Sequence, residues 1–218
     1  MTKKLKIDFV SDVSCPWCAV GLGGLEQALQ RVEGEITADI HFQPFELNPG
    51  MGAEGQDISE HLTQKYGSTE AQQADTRHAI CERGAEVGFE FNPAGRGRIW
   101  NTFDAHRLLY LAETEGNPEQ QSALKKALLA ACHTRSEPMG DHAVLSACAE
   151  SSGLDADRVS AVLGSDEFEK EVRERQKFYA NHGISSVPAV IINDKHLISG
   201  GQPTEVFVEA LQKIAEEA

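Results

Sequence analysis

The sequence predicts an α/β fold interrupted by an all-helical insertion, and three observations lead to this prediction. Segments with the alternating or apolar pattern of β-strands lie near both ends of the chain. Between them, hydrophobic residues follow the three-and-four spacing of helices. So long a helical stretch cannot be a loop inside a compact domain. We therefore assign residues 1–55 and 166–218 to two parts of an α/β domain and residues 56–165 to a helical domain inserted between them.

A strand, a helix and a second strand are predicted in the first part. Apolar residues alternate with polar ones over Leu5–Val10, which is typical of a strand that enters a core. From Leu22 onward they recur every three or four positions, so a helix follows, and Gly34 is expected to end it. Alternation over Ile36–Phe42 predicts the second strand, and the Pro- and Gly-containing residues 43–55 predict a loop.

The inserted domain is predicted to be helical, with no convincing strand. Asp57, with Glu60 three residues later, has the character of a helix N-cap. Residues 92–98 are expected to form a basic loop. Hydrophobic spacing predicts helices over residues 57–66, 68–86, 100–115, 119–132 and 141–151, and a short one around 159–163.

The second part of the α/β domain is predicted as helix, strand, hairpin and helix. The first helix is closed by Gly183. The apolar strand after it has Pro188 among its first residues, which is tolerated because a missing amide breaks no ladder bond at a strand start. The predicted ranges are 166–181 for the helix, 183–193 for the strand, 193–195 for a turn, 196–199 for a returning strand and a last helix after Pro203.

Charge and composition narrow the choice of partners. The chain has 34 acidic and 20 basic residues and a formal net charge of −14, which repels nucleic acid and anionic membrane surfaces. We therefore expect neither as a partner. Asp8 and Asp12 interrupt the apolar segment that a signal peptide requires, and no apolar run is long enough for a transmembrane helix. A cytoplasmic location, where most thiols stay reduced, is the expectation.

The stretch most informative about chemistry is Cys15-Pro16-Trp17-Cys18, which follows the first strand and occupies the first turn of the first helix. In disulfide exchange the thiolate is the nucleophile, and the free amides and dipole of a helix start favour its negative charge. Such a position lowers a thiol pKa from about 8.5 to between about 3.5 and 7.5. Pro16 fits the first helical turn because it needs no hydrogen-bond partner there. The motif predicts the reactive end of a thiol–disulfide enzyme.

The other three cysteines receive no catalytic assignment. Five cysteines in a cytosolic chain are an odd number and form no disulfide framework. Cys132 and Cys148 each continue the helical spacing of apolar neighbours, so both are expected to be buried apolar residues. The pattern around Cys81 does not decide its role.

Four segments of the chain together resemble the FrnE-like subgroup of DsbA-family oxidoreductases. They are Asp12–Cys18, Asn101-Thr102 with Ala105–Leu108, Val187-Pro188, and Ser199–Pro203. The resemblance covers essentially the whole chain and implies a thioredoxin fold with a helical insertion. It also implies a thiol–disulfide oxidoreductase, with disulfide isomerase activity as a further option, that acts on protein or small-molecule disulfides. No cofactor beyond the redox-active disulfide is implied, although glutathione is a candidate co-substrate.

The resemblance also implies roles for single residues. Cys15 is the exposed attacking cysteine, Cys18 is the resolving one, and Pro188 is a cis proline packed beside them. Chemistry supports these roles, since the cysteine nearer the helix start is closer to the unpaired amides. A cis peptide bond would let the amide and carbonyl of Val187 pair with an extended substrate peptide.

Three further residues have two interpretations each. Trp17 stands where periplasmic DsbA oxidases usually carry histidine, and it either offers apolar contact to a substrate or packs over the rim of the site. Asp12 either relays a proton to Cys18 or is a turn residue, and we favour the turn. His106 shares a helix face with apolar residues, so we favour a core histidine over a catalytic base. In the family picture the inserted helical domain covers Cys15, so polar residues of that domain are expected to line the substrate groove.

Two other classes of function stay open. Glutathione-dependent isomerases and transferases of the chromene-carboxylate isomerase and kappa type are similar overall, but they generally have serine at the position of Cys15 and lack the second cysteine. Zinc binding needs two further ligands, and only Cys132-His133 and His142 with Cys148 offer them. We therefore expect no metal. The direction of electron flow, the substrate, and the choice between monomer and homodimer are not determined by the sequence.

Overall fold

The computed structural model describes residues 2–217. In this part of the chain, a four-stranded sheet has the order β2-β1-β5-β6, and helices surround it. The strands are β1 Lys3–Ser11, β2 Ile36–Pro44, β3 Gln56–Asp57, β4 Arg98–Ile99, β5 Ala189–Ile192 and β6 His196–Ser199. The helices are α1 Pro16–Arg31, α2 Ile58–Tyr66, α3 Glu70–Glu86, α4 Phe103–Thr114, α5 Pro118–His133, α6 His142–Ser151, α7 Ala156–Leu163, α8 Glu169–Asn181 and α9 Thr204–Glu217.

The sheet confirms the predicted α/β fold. Strand β1 is central and runs parallel to β2, with Phe9 opposite Phe42, because α1 crosses over between them. On its other side β1 pairs antiparallel with β5, which forms a hairpin with β6. Asn193 and Asp194 have φ of 52° and 57°, the left-handed conformation that a tight hairpin turn requires. Both predicted ends of the chain therefore meet in one sheet.

Helix α1 starts where the sequence predicts, at the carboxyl end of β1. Cys15 is its N-cap and Pro16 its first residue. The helix lies close to the second part of the fold, since a Cβ at Gly21 would be 3.0 Å from Cγ of Pro188. It ends at Arg31, and Gly34 follows with φ of 90°. A small residue at position 21 lets α1 and the start of β5 come together.

The insertion comprises α2 to α7 and differs from the prediction in detail. Asp57 is the N-cap of α2 as predicted, and its side chain accepts a bond from the Glu60 amide. The expectation of no strand is wrong, because β3 and β4 pair antiparallel over two residues each. Strands that short leave no alternation to detect. Helix α4 begins three residues later than predicted, where the Asn101 side chain accepts the Phe103 amide at 2.8 Å.

The second part of the α/β fold also differs from its predicted bounds. Helix α8 begins at Glu169, after Phe168 in a left-handed conformation with φ of 64°. Strand β5 is much shorter than the predicted apolar stretch, because it begins only after Pro188. Ile184 and Val187, before Pro188, are apolar and yet belong to a loop beside the start of α1. Apolar character alone therefore does not mark strand ends.

Two hydrophobic cores lie on either side of the β1–α1 turn. One core covers the sheet, α1 and α9, and includes Phe9, Cys18 and Phe207. The other lies among α4 to α7, and Val13 of the turn packs into it. Helix α5 contributes to both, with Leu129 in the first. Since the cores share an element, the division at residues 55 and 165 stays a prediction. Within residues 2–217, no helix is both long and apolar enough to cross a bilayer.

Candidate active site

The two cysteines of the motif lie at the end of the β1–α1 turn. The Cys15 amide donates to the Asp12 carbonyl at 3.1 Å, and the Cys18 amide donates to the Cys15 carbonyl at 3.1 Å. Both thiols are free. Cys15 is 4% exposed and Cys18 is fully buried, so the expectation of an exposed Cys15 is wrong. Cys15 is nevertheless the outer cysteine, because it lines a cleft that Cys18 does not reach.

The environments of the two thiols move their pKa values in opposite directions. The Cys18 thiol, which donates a hydrogen bond to the Cys15 sulfur, is the largest cause of a lowered pKa at Cys15. Burial acts against this, and the amides of Trp17 and Cys18 lower the Cys15 pKa further. At Cys18, burial followed by the nearby Cys15 raises the pKa well above its ordinary value. Cys15 is therefore the thiol of the pair that ionises more readily, and the inner Cys18 holds its proton more tightly.

The loop before β5 lies directly beside Cys15. The Val187–Pro188 peptide bond is cis, as the resemblance implies. The Cys15 thiol donates to the Val187 carbonyl across 3.5 Å. On the other side of Pro188, the backbone continues into β5, and the Pro188 carbonyl accepts the Gly200 amide at 2.8 Å. The cis proline and the outer cysteine thus share one wall of the site.

A cleft of about 790 Å³ opens in front of Cys15. One wall belongs to the α/β part, with Pro16, Trp17 and the loop Ser185–Val187. The opposite wall is formed by α2, α3 and the loop before β4, with apolar side chains from Ile58, Leu62, Tyr66, Ile80 and Phe91. Cys15 itself packs into the core of the sheet and against the Val187 carbonyl, which is the physical reason why it is less exposed than predicted.

The charge in the cleft contrasts with the charge of the whole chain. The cleft lining includes Lys65, Arg77 and Arg96, with Glu46 as the acidic member, whereas the chain carries a net charge of −14. Lys65 is held by the Leu47 carbonyl and the Asn48 side chain at 2.8 and 2.7 Å. An excess of positive charge beside a thiolate favours anionic groups in the cleft.

Trp17 has both a packing contact with the core and a surface that faces the cleft. It lines the cleft, and it is also half-buried against the core of the sheet. A Cβ at Gly201 would be 3.0 Å from the Trp17 carbonyl oxygen and 3.5 Å from its ring. The indole is therefore fixed by packing on one side and offers apolar surface to the cleft on the other.

Asp12 is a buried carboxylate that ties three segments together. Its Oδ1 accepts the Ser14 amide at 3.0 Å and the Thr102 hydroxyl at 2.8 Å, and its Oδ2 accepts the Leu47 amide at 2.7 Å. Burial acts to raise the pKa of Asp12, but His106 and the two amides outweigh it and lower the pKa to about 2. Because both carboxylate oxygens of Asp12 accept hydrogen bonds, the side chain stabilises the turn. This is the interpretation favoured from the sequence.

His106 lies in the core rather than in the cleft. It is 2% exposed, and its Nε2 lies 3.6 Å from Asp12 Oδ1, which is beyond ordinary hydrogen-bond distance. Polar residues of the insertion line the cleft as expected, among them Lys65, Gln73 and Arg77, whereas no α4 residue of the described chain does so. Helix α4 instead packs behind the turn, where Thr102 meets Asp12.

Several polar side chains of the insertion hold the reactive turn and were missed from the sequence. Arg96 donates to the Ser14 carbonyl at 2.7 Å and to the Cys132 sulfur at 3.0 Å. His133 Nε2 lies 2.9 Å from the Val13 carbonyl oxygen. Each partner on the turn is a backbone carbonyl, which leaves no mark in the sequence. The one available signal was Lys125, a lysine on the buried face of a predicted helix.

Of the remaining cysteines, the two with a prediction lie where it places them. Cys132 and Cys148 are buried. Cys81 is half-buried and lines the same cleft as Cys15. The side chains considered for zinc have other partners: Cys132 accepts Arg96, and His142 Nε2 lies 2.9 Å from Asp104 Oδ2. Among residues 2–217, no three His, Cys, Asp or Glu side chains are grouped in a way that could hold a metal ion.

The sheet order, the dithiol at the start of α1 and the inserted helices define a thioredoxin-fold protein of the oxidoreductase class. The chain matches the DSBA-like thioredoxin domain family over residues 6–212 and belongs to that family. The FrnE-like subgroup stays a prediction.

Three solved structures illustrate the range of similar proteins. A probable DsbA oxidoreductase of Streptomyces coelicolor, SCO1869, is 31% identical, with a TM-score of 0.88 over 98% of this chain and 91% of that one. A 2-hydroxychromene-2-carboxylate isomerase shares the fold at 11% identity, with a TM-score of 0.71 over 97% of both chains. The cytosolic disulfide reductase DsbM of Pseudomonas aeruginosa, solved with GSH, shares it at 13% identity, with a TM-score of 0.63 over 97% and 99%.

Proposed function

We propose that the protein is a thiol–disulfide oxidoreductase of FrnE-like type in which Cys15 and Cys18 exchange a dithiol and a disulfide with substrates. The observation that carries the proposal is the position of Cys15. Its thiol lies at the floor of the cleft, 3.5 Å from the Val187 carbonyl oxygen, with Cys18 buried behind it. That arrangement gives one accessible nucleophile, one protected partner and a backbone segment for substrate binding.

The proposed reaction runs in two exchanges. The Cys15 thiolate attacks one sulfur of a substrate disulfide, a mixed disulfide forms, and the first substrate thiolate leaves. Cys18 then attacks the Cys15 sulfur, the bond to the substrate breaks, and the second substrate thiol leaves. Two electrons pass from the protein dithiol to the substrate, and the Cys15–Cys18 disulfide remains. The same steps in reverse oxidise a substrate dithiol, so the direction depends on the reduction potential of the pair.

The opposite pKa directions of the two thiols support this order of events. Cys15 has the lowered pKa and is ready to attack, whereas Cys18 has the raised pKa and is shielded from substrate. The cis Val187–Pro188 segment is proposed to pair its backbone with an extended substrate, in place of the bond that Cys15 donates to the Val187 carbonyl.

Substrates are proposed to be protein or small-molecule disulfides and thiols. An apolar cleft with a positive margin suits an extended peptide, and it also suits a small thiol with carboxylate groups such as glutathione. Glutathione is a candidate reductant or mixed-disulfide partner, in line with the GSH found with the similar DsbM. We propose a cytoplasmic protein, monomeric or homodimeric, that needs no cofactor besides its own disulfide.

A glutathione-dependent isomerase is the second candidate. It is favoured by the shared fold of the chromene-carboxylate isomerase and by an apolar cleft large enough for an aromatic substrate. The complete dithiol weighs against it, because an isomerase of this type has no use for Cys18. Isomerase turnover that survives Cys18→Ser, together with saturable glutathione binding, would favour this candidate.

A trapping experiment tests the redox proposal. The Cys18→Ser variant should accumulate mixed disulfides with glutathione disulfide and with insulin, because the second exchange is blocked. Reductant should release them, and Cys15→Ser should abolish them. Cys148→Ser, which changes a buried cysteine outside the cleft, is the control and should behave like wild type. Folded Cys18→Ser protein that forms no adduct would contradict the proposal.

A further inference from the structure

We propose that Lys125 of α5 supplies the positive charge that lets Cys18 become a thiolate when it resolves the mixed disulfide. This inference rests on the proposed function and deepens it, because it names the residue on which the second exchange depends. Lys125 belongs to the inserted helices, whereas Cys18 belongs to the α/β part. The resolving step would then depend on a group that the insertion contributes.

The contacts of α5 place Lys125 under the reactive turn. Near the start of the helix, the Gln121 side chain accepts the Phe42 amide at 3.1 Å and donates to the Phe42 carbonyl at 3.3 Å. At its end, His133 Nε2 lies 2.9 Å from the Val13 carbonyl oxygen. The helix therefore runs from strand β2 to the residues just before Cys15. Lys125 is one turn after Gln121 and one turn before Leu129, which packs in the same core as Cys18.

Lys125 is a buried amine without a hydrogen-bond partner. Its side chain is fully buried, and its Nζ has no hydrogen bond to any group within residues 2–217. Its neighbour Lys126 is half exposed and pairs with Glu26 at 2.8 Å. An unpaired ammonium in a protein interior costs stability. The missing partner is explained if Lys125 becomes charged only when the Cys18 thiolate forms beside it.

The groups that act on the charge of Lys125 come from several elements. Burial is the largest influence and lowers the pKa of Lys125, while Cys18 is the strongest of the groups that raise it. Lys125 in turn lowers the pKa of Cys18 against the larger effect of burial. The titratable groups around the pair are Asp12 and Cys15 in the turn, Cys132 and His133 on α5, Arg96 in the loop before β4, and His106 on α4.

One proton is therefore available to the pair. In the proposed step, Cys18 starts as a thiol and Lys125 as a neutral amine, the form that burial favours for each. As Cys18 attacks the Cys15 sulfur, its proton passes to the amine, and the new thiolate forms beside an ammonium. When the Cys15–Cys18 disulfide closes, the ammonium returns the proton to the departing substrate thiolate through solvent. The electrons move from Cys18 to the substrate sulfur, and no other reactant is needed.

The experiment separates the two exchanges in time. Reduced protein is mixed with one equivalent of dithiobis(nitrobenzoate), which releases one coloured thiolate when Cys15 attacks and a second when Cys18 resolves. The variants are Lys125→Met, which keeps the length of the side chain and removes its charge, and Lys126→Met as the matched control on the same helix. Rates of both phases are followed across a range of pH.

Lys125→Met should slow the second phase about tenfold near neutral pH and move its midpoint to higher pH, as a rise of about one unit in the Cys18 pKa requires. The first phase should change little, and Lys126→Met should match wild type in both. Lys125→Met should also unfold at a higher temperature than wild type, because it removes a buried polar group that has no hydrogen-bond partner. A lysine with a merely structural role would give a less stable variant with an unchanged pH midpoint.

The outcomes distinguish the inference from the function on which it rests. Wild type without a first phase would contradict the proposed function. A normal first phase with a second phase unaffected by Lys125→Met would overturn only the role of Lys125. If Lys125→Met does not fold, the titration of the Lys125 side chain is measured by NMR in wild type. Its midpoint should be higher in the reduced than in the oxidised protein, and equal midpoints would overturn the inference.

Discussion

The α/β part and the inserted helices contribute different things to the same site. The α/β part carries the atoms proposed to react, Cys15 and Cys18, and the cis Val187–Pro188 segment beside them. The insertion carries side chains that hold the reactive turn, including Arg96 on the Ser14 carbonyl and His133 beside the Val13 carbonyl. The reacting groups lie in short motifs, whereas the supporting groups come from distant elements that meet the turn only in the fold.

The two regions should lose their contributions to stability at different pH values. Each region contributes one buried group whose pKa is far from its ordinary value. In the insertion, burial followed by the charge of Arg96 lowers the pKa of His133 to about 3. In the α/β part, the contacts of Asp12 lower its pKa to about 2. Both groups bind fewer protons in the native than in the unfolded state. The free energy of unfolding therefore decreases as pH decreases, over a different pH range for each group.

The largest expected effect comes from His133. Its contribution to the free energy of unfolding is complete above the ordinary histidine pKa of 6.5 and is lost progressively as pH falls towards 3. In this range the histidine is protonated in the unfolded chain but stays neutral in the native state. The loss should reach at most about 5 kcal/mol, and it should be visible as a steep fall in the urea midpoint between these pH values.

Two variants identify His133 as the origin of that fall. His133→Gln keeps a donor for the Val13 carbonyl and cannot titrate, so its stability should be nearly level from pH 6.5 to 4. His142→Gln changes a half-exposed histidine on α6 and should keep the slope of wild type. Equal slopes for wild type and His133→Gln would show that the insertion does not hold the turn through a neutral imidazole.

The reactive half of the site was accessible from the sequence because its signals are local. Cys15 and Cys18 stand at a strand-to-helix junction that periodicity reveals, and Pro188 stands at the start of an apolar strand. The family resemblance then supplied the cis bond. The prediction of an exposed Cys15 is wrong, because its burial depends on contacts with the core of the sheet and with Val187. No local pattern reports how closely the loop before β5 approaches the start of α1.

The supporting half was not accessible for a related reason. Arg96 was seen only as part of a basic loop, and His133 only as a candidate zinc ligand. Their partners are the carbonyls of Ser14 and Val13, which every residue carries. Asp12 was correctly favoured as a turn residue, yet its bond from Thr102 joins elements far apart in the chain. Such contacts follow from tertiary packing rather than from periodicity or turn chemistry.

The next largest effect is expected at Asp12, on the α/β side of the comparison. Its contribution is present above pH 3.8 and is lost as pH falls through about 2, and it amounts to about 2 kcal/mol. Asp12→Asn should therefore lower the free energy of unfolding by about that much at neutral pH. Below pH 3 the difference from wild type should shrink, as measured by urea unfolding.

The matched control for Asp12 is Asp39→Asn, which changes an exposed carboxylate paired with Lys4. A surface pair of this kind contributes little, so this variant should follow wild type at every pH. If Asp12→Asn were as stable as Asp39→Asn at neutral pH, the carboxylate would not tie the turn to α4. In that case a direct role of Asp12 in proton transfer would regain interest.

The smallest expected effect concerns the cleft wall that the insertion supplies. Arg77 is exposed on α3, lines the cleft and has no ion-pair partner within residues 2–217, so its charge is available to an incoming substrate. Arg77→Gln should slow the reaction of Cys15 with dithiobis(nitrobenzoate), a dianion, by about threefold at low salt and hardly at all at high salt. Uncharged hydroxyethyl disulfide should react at the wild-type rate. Arg83→Gln is the control, because Arg83 lies on the same helix but is paired with Glu86 outside the cleft, and it should leave both rates unchanged. If Arg77→Gln slowed the reaction with both disulfides equally, Arg77 would shape the cleft rather than attract charge.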